Sequence, residues 1–465
     1  MRFSSRTGWN TEESDLARAH RMRREAGLPI ADLTASNPTR CGFSYPSDLL
    51  ASLASSAVLD YDPQPRGHLR ARQAVCAYYA GHGVYLDRAH ILLTTSTSEA
   101  YSFLFRLLCD PGAEVLVPHP GYPLFDFLAA LDDVRLVPFP LVFDHGWQID
   151  PEAIRRAITP RTRAIVVIHP NNPTGHFTKQ WEAAELARLC RQFDLSLIVD
   201  EVFLDYALTS QTSHEGTASQ PAEERSCDKG TASQSAEERS CNKGTASAGP
   251  QTSVNDEERA LAPANPTASV PTFAAGLDGV PVFVVSGLSK IAGLPQMKAA
   301  WIAVPPISSA PEDDQAHHHA LDRLEVIADT FLSMNAPIQC ALPAWLDSRF
   351  DIQNQIRARV TSNLAVLDRA LLELPAIQRL PVEGGWYAIL RIPALQPDEQ
   401  TVIDLLDRGL WLHPGYFFGL PPSGWLVLSL LAPETEFSRG VEIIGECLNI
   451  GEPGLDSPFS LGPLK

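Results

Sequence analysis

Apolar positions along this chain switch between two spacings. Short runs rich in Val, Ile and Leu occur at 91–95, 114–117, 134–138, 164–169, 195–200 and 280–286. Such unbroken runs suit strands buried on both faces. Between them, 98–109, 151–157 and 179–193 carry apolar residues at helical spacing. This alternation predicts an α/β fold: a mostly parallel sheet wrapped by helices. Near the N-terminus, Asn10 precedes Glu12 and Glu13, with Arg21, Arg23 and Arg24 further on. That order predicts a helix N-cap at Asn10 and an arm helix behind it. From about residue 321 a long helical region leads into short strands at 385–391 and 425–430, which reads as a smaller α+β domain. The expected organisation is an N-terminal arm with part of the small domain over 1–48, a large domain over 49–310, and the rest of the small domain over 311–465.

One stretch inside the large domain breaks the alternation. Over 209–272 the chain turns polar and repeats itself: Gly216-Thr217-Ala218-Ser219-Gln220 returns as Gly230-Thr231-Ala232-Ser233-Gln234, and Gly244-Thr245-Ala246-Ser247 begins a third copy. A period of about 14 is too short for solenoid units, and few of its residues are bulky and apolar. It is expected to be a tandem-duplicated disordered insert, which adds little closure cost to the domain around it.

Composition narrows the function classes. The 465 residues carry a formal charge of −18, a field that repels nucleic acid and anionic membrane surfaces. No run approaches the ~18 apolar residues of a transmembrane helix, and Met1-Arg2-Phe3-Ser4-Ser5-Arg6 lacks a signal-peptide core. The eight cysteines show no CxxC or other metal-ligand spacing, which fits free thiols in a reducing cytoplasm. His317-His318-His319 cannot easily face one ion, so no metal is expected and the triplet is expected in a solvated loop.

The candidate chemistry centres on Lys290. It follows the apolar run 280–286 in Ser286-Gly287-Leu288-Ser289-Lys290 and precedes Gly293-Leu294-Pro295. A lysine delivered into a buried turn has a depressed pKa, and a neutral amine is what forms a Schiff base with an aldehyde. Asp200 ends the apolar run 195–200, where an acid needs a cationic partner. Ser96, Thr97 and Ser98 open the helix that starts near Glu99, an arrangement that favours an anion. Each also has an ordinary reading: a strand-end lysine, a capping Asp and a Ser/Thr N-cap.

Their order along the chain resembles the class I/II aminotransferases, pyridoxal 5′-phosphate (PLP) enzymes of fold type I. The resemblance runs from about Thr34 to about Leu431. It includes Ser36-Asn37-Pro38-Thr39, Tyr61-Asp62-Pro63, Gly67-His68-Leu69-Arg70, Pro118-His119-Pro120-Gly121-Tyr122-Pro123, His169-Pro170-Asn171-Asn172-Pro173-Thr174-Gly175, Asp200-Glu201-Val202, Lys290 and Lys298. It implies that Lys290 holds PLP as an aldimine and shuttles the substrate proton. Asp200 would pair with the pyridinium nitrogen and Asn172 with the phenolic oxygen, while Tyr122 stacks on the ring. Ser96, Thr97, Ser98 and Lys298 would hold the phosphate, joined by Tyr61 from a second subunit, so the active unit would be a homodimer. Its partners would be a small-molecule amino donor and a keto acceptor.

Three positions depart from the family pattern. Lys298 stands where most members have arginine, and Phe203 stands three residues after Asp200 where most have tyrosine. Val427 lies where many members place the arginine that binds the substrate α-carboxylate. Another cation must replace that arginine, or the substrate is not an ordinary α-amino acid. Arg40, with Asn37 in the same turn, is the first candidate and Arg391 the second. The departure keeps other reactions on the same fold open, namely a lyase, decarboxylase or cyclase. A non-catalytic PLP-binding protein is the remaining alternative.

Overall fold

The computed structural model describes residues 1–122, 125–208, 270–308, 315–332 and 334–448. Among them the helices are α1 (Asp15–Glu25), α2 (Leu69–Ala80), α3 (Thr97–Leu108), α4 (Phe125–Leu131), α5 (Pro151–Ala157), α6 (Gln180–Phe193), α7 (Leu288–Ile291), α8 (Gln315–Thr330), α9 (Ala336–Asp347), α10 (Arg349–Leu371), α11 (Asp398–Asp407) and α12 (Glu434–Leu448). The strands are β1 (Ala31–Asp32), β2 (Ile91–Thr94), β3 (Glu114–His119), β4 (Arg135–Phe143), β5 (Trp147–Ile149), β6 (Thr162–Ile168), β7 (Ser196–Asp200), β8 (Val282–Gly287), β9 (Ala300–Ala303), β10 (Gln378–Arg379), β11 (Tyr387–Arg391), β12 (Leu410–Trp411), β13 (His413–Pro414) and β14 (Trp425–Ser429).

The large sheet has the order β2-β9-β8-β7-β6-β3-β4-β5. Strands β8, β7, β6, β3 and β4 run parallel. β9 is antiparallel to both neighbours, and β5 is antiparallel to β4. Every residue of β7 and β8 is buried, because helices cover both faces. Successive side chains alternate between two cores: Leu197, Val199 and Val284 enter one, Ile198, Phe283 and Val285 the other. A smaller antiparallel sheet, β10-β11-β14-β13, forms near the C-terminus. The N-terminal β1 pairs in parallel with β12, so both chain ends contribute to that region. No described helix is long and apolar enough to cross a membrane.

Three local readings are corrected. The arm helix is capped by Ser14, whose side chain accepts from Ala17 N at 3.2 Å. Asn10 instead accepts from Glu12 N at 2.9 Å and closes a separate turn upstream; both residue types cap, and side-chain spacing alone does not choose between them. β4 continues through Pro138 and Pro140 to Phe143. It tolerates them because β5 pairs only with Leu141–Phe143, leaving the prolines without a partner on that side. His317 is not in a solvated loop. It lies in α8, 2% exposed, on the face that carries Leu321, Leu324 and Ala328, with its ring 4.5 Å from that of His90. The repeat-bearing insert expected at 209–272 lies outside the described residues, apart from its last three.

Candidate active site

Neighbouring strands β7 and β8 deliver the two central groups at their C-terminal ends, where open parallel sheets leave a crevice. β8 finishes on Gly287. A Cβ there would lie 2.8 Å from both the Ala299 oxygen and the Ala300 Cβ, so only glycine lets the chain turn this close to β9. The one-turn α7 follows and is clamped from outside. Tyr206 donates to the Lys290 carbonyl at 2.7 Å, Gln353 to the Ile291 carbonyl at 2.9 Å, and Tyr45 to the Gly293 carbonyl at 2.6 Å. Lys290 is thereby held with its Nζ 4.8 Å from the Trp386 ring and 5.4 Å from the Phe203 ring. Burial lowers its pKa to about 8, against the opposing pull of Asp200 and Cys41.

Asp200 is 9% exposed. Its Oδ1 accepts from Val202 N and its Oδ2 from the Tyr101 hydroxyl, both at 3.1 Å. Burial nevertheless raises its pKa to about 6, despite those donors and Lys290. Glu201, next in sequence, faces away. It accepts from Thr272 Oγ1 and Phe273 N, both at 2.6 Å, and burial lifts it to about 7. Of the two adjacent acids, one serves the crevice and the other anchors the chain where it returns to the domain.

The two adjacent asparagines after β6 divide their work in the same way. Asn171 builds the turn, accepting from Thr174 Oγ1 at 2.8 Å. Gly175 (φ 70°) packs so tightly that a Cβ would meet Val382 Cγ2 at 2.4 Å and the Gly384 oxygen at 2.6 Å, which brings the segment leading to Trp386 against the turn. Asn172 is 7% exposed and its Oδ1 is buried without a partner. A buried amide oxygen without a partner is costly in the free protein.

Ser96 caps α3, accepting from Glu99 N at 3.1 Å, while Glu99 turns back to accept from Thr95 N at 2.6 Å. Thr97 and Ser98 follow in the first turn, whose N–H groups have no acceptor within the helix. Thr94 pairs with Ala300 in the β2–β9 ladder. Lys298 lies two residues before β9, in a left-handed conformation (φ 54°) that ends the turn Pro295–Met297. Tyr122 is 41% exposed; its turn is fastened where Gly121 N donates to the Phe418 carbonyl at 2.9 Å. Burial raises the Tyr122 phenol to about 12, with Tyr387 and Asp200 adding to the rise. Tyr61 projects into solvent, 84% exposed.

Among the substrate candidates, Asn37 caps the short turn Pro38–Arg40, accepting from Thr39 N at 3.1 Å, and Arg40 ends that turn exposed. Arg391 is not brought to Lys290. It is five residues beyond Trp386, roughly 16 Å along an extended chain, exposed, with its guanidinium 5.7 Å from the Trp425 ring. Val427 is fully buried in β14, paired with Ile389 and His413. Burial pushes His413 down to about 4, so this row presents no charge near neutral pH.

Sequence reasoning passed over Tyr101 and Trp386. Tyr101 had a detectable signal: it lies three and four residues after Ser98 and Thr97, on the same face of α3. Trp386 had none, because its approach to Lys290 depends on the packing of Gly175.

The donor set suits PLP. A buried acid suits a cationic ring nitrogen, the amide N–H of buried Asn172 suits a ring oxygen, a lysine with lowered pKa suits an aldehyde, and a helix N-terminus opening with Ser96, Thr97 and Ser98 suits a phosphate. Comparison with known proteins identifies the family. The sequence profile of "Aminotransferase class I and II" matches residues 52–444. Alanine aminotransferase of Mycobacterium tuberculosis is 25% identical over 442 residues, covering 92% of this chain and 88% of that protein. Glutamate-pyruvate aminotransferase of Escherichia coli is 30% identical over 205 residues, 44% of this chain and 50% of that protein. Among solved structures, alanine aminotransferase from Pyrococcus furiosus superposes with a TM-score of 0.75 at 20% identity, over 96% of this chain and 99% of that one. The chain belongs to the class I and II aminotransferase family and is an aminotransferase of fold type I.

Proposed function

We propose that this aminotransferase works with PLP as a homodimer, moving an amino group from a small-molecule amino donor to a keto acceptor. The observation that carries this reading is the convergence of Lys290 and Asp200 from the ends of β8 and β7. Bound there, PLP would supply the carbonyl that takes up the amino group and the electron sink that makes the substrate Cα–H acidic. Asp200 would hold a proton on the ring nitrogen, and the Asn172 amide would meet the phenolic oxygen. Ser96, Thr97, Ser98 and Lys298 would bind the phosphate, and Tyr122 would cover one ring face. Lys290, with its pKa near 8, can take the proton from the substrate Cα and return it. Tyr61, with most of its surface exposed, is free to reach a second subunit. A cytoplasmic location fits the six described cysteines, none of which forms a disulfide.

The direct experiment is borohydride treatment of the PLP-loaded protein followed by peptide mapping. Cofactor fixed on Lys290 is the expected result; a label on another lysine would sink the assignment.

Arg40 is proposed to bind the substrate acid group, with Asn37 shaping its turn. The row Ile389–Val427–His413 supplies no cation, whereas Arg40 is an exposed guanidinium. Arg40→Ala should raise KM about tenfold or more for donors with a carboxylate and spare simple amines, since only the former lose a charge-assisted pair. Equal effects on both would exclude the role.

A further inference from the structure

Asp200 receives two hydrogen bonds. One comes from the backbone at Val202 and is available to any residue there. The other comes from Tyr101, which lies on a different element, 99 residues away in sequence. Tyr101 is 3% exposed, and its ring packs edge-on against Phe125 at 4.7 Å and 85°. Phe125 in turn packs on Tyr122 at 6.2 Å. The hydroxyl therefore has little freedom to leave Asp200. Burial also drives the Tyr101 phenol well above its ordinary pKa, so it acts as a donor and not as an acid.

We propose that Tyr101 is a positioning residue whose hydroxyl fixes the Asp200 carboxylate, as the anion and in one orientation, for a cationic ring nitrogen. This rests on the PLP reading above. Both Asp200 oxygens then carry a donor, so rotation of the carboxylate breaks a bond on each side. α3 also begins with the Ser96–Ser98 turn, and Tyr101 follows Thr97 by four residues on the same face. One rigid helix thus spans from the proposed phosphate site to the partner of the ring nitrogen, fixing the distance between two anchors of one small molecule. The titratable groups that influence Asp200 are Lys290 from α7, Tyr101 from α3 and Tyr122 from its turn, together with the adjacent Glu201, which faces away but is felt through its charge.

The test uses pyridoxamine 5′-phosphate, which has the ring and phosphate but no aldehyde, so Lys290 cannot capture it covalently. Its dissociation constant is measured against pH for the apo forms of the wild type, Tyr101→Phe, Asp200→Asn and the double variant. Tyr101→Phe should bind about tenfold more weakly near pH 7, the scale of one hydrogen bond to a charged group. The pH below which binding fails should move upward from about 6, because Asp200 loses a donor to its ionised form. In the Asp200→Asn background, adding Tyr101→Phe should change nothing further. An unchanged affinity and midpoint, or an equal loss in the Asp200→Asn background, overturns the inference while leaving the PLP reading intact. A Tyr101→Phe protein that does not fold assigns the residue to the core and overturns it too. A wild type that does not bind pyridoxamine 5′-phosphate removes the PLP reading and the inference together.

Discussion

Replacing Lys290 by alanine should lower transamination by at least about 10⁴-fold, the upper range for loss of one proton-transferring group, before the lost covalent anchor is counted. The expectation follows from placement. The Lys290 amine sits against Trp386 and Phe203, and Asp200 and Cys41 are the charged or ionisable neighbours that oppose its lowered pKa. The fold should survive. A lysine whose folded pKa is lowered destabilises the folded state while protonated, so its removal near pH 7 relieves that penalty. This offsets the loss of its pull on Asp200, whose carboxylate keeps its bonds from Val202 N and Tyr101. The measurement is single-turnover conversion of an amino donor, alongside thermal melting of the same sample. Activity within tenfold of wild type would rule out the assigned role. A collapse of melting temperature would show that α7 depends on this side chain.

Asp200→Asn should show opposite effects on stability and function. The acid is lifted from its ordinary 3.8 to about 6 by burial, a penalty of roughly 3 kcal/mol on the ionised form. The sign follows from proton binding. An acid whose pKa is raised by folding carries no penalty below about pH 4 and the full penalty above about pH 6. The apoprotein of Asp200→Asn should therefore melt higher than wild type above about pH 6, with the gap closing as pH falls towards 4. The same substitution should slow turnover about 10²–10³-fold, the range seen when one preorganised electrostatic group is removed. A buried acid that weakens the free protein yet serves the loaded one is a common bargain at active sites. Melting curves of the cofactor-free protein across pH, paired with steady-state rates, test both halves. An apoprotein destabilised by Asp200→Asn at pH 7 would mean that the carboxylate is held mainly for structure.

Much of this molecule is legible along the chain because its signals are local. Short unbroken Val/Ile/Leu runs suit strands covered on both faces, and β2, β3, β6, β7 and β8 lie where those runs are. The expected helix 151–157 is α5, with the same bounds. Lys290 and Asp200 stood out because a charge at the end of an apolar strand needs a reason. Side-chain direction was less legible. Glu201 beside Asp200 and Asn171 beside Asn172 are equivalent on paper. Both pairs lie at or just past strand ends, and only the packed fold says which member of each faces the crevice. His317 reads as solvated until α8 brings it against His90, and Arg391 reads as a rival of Arg40 until β11 carries it away along the strand. The bond from Tyr101 to Asp200 joins residues 99 apart in sequence. The sequence by itself determined the α/β alternation, the order of the motifs and the identity of the ionisable groups, since these depend on composition and spacing. Only the tertiary structure decided which groups face one another and how far burial shifts their protonation, because both depend on neighbours that the chain supplies from distant segments.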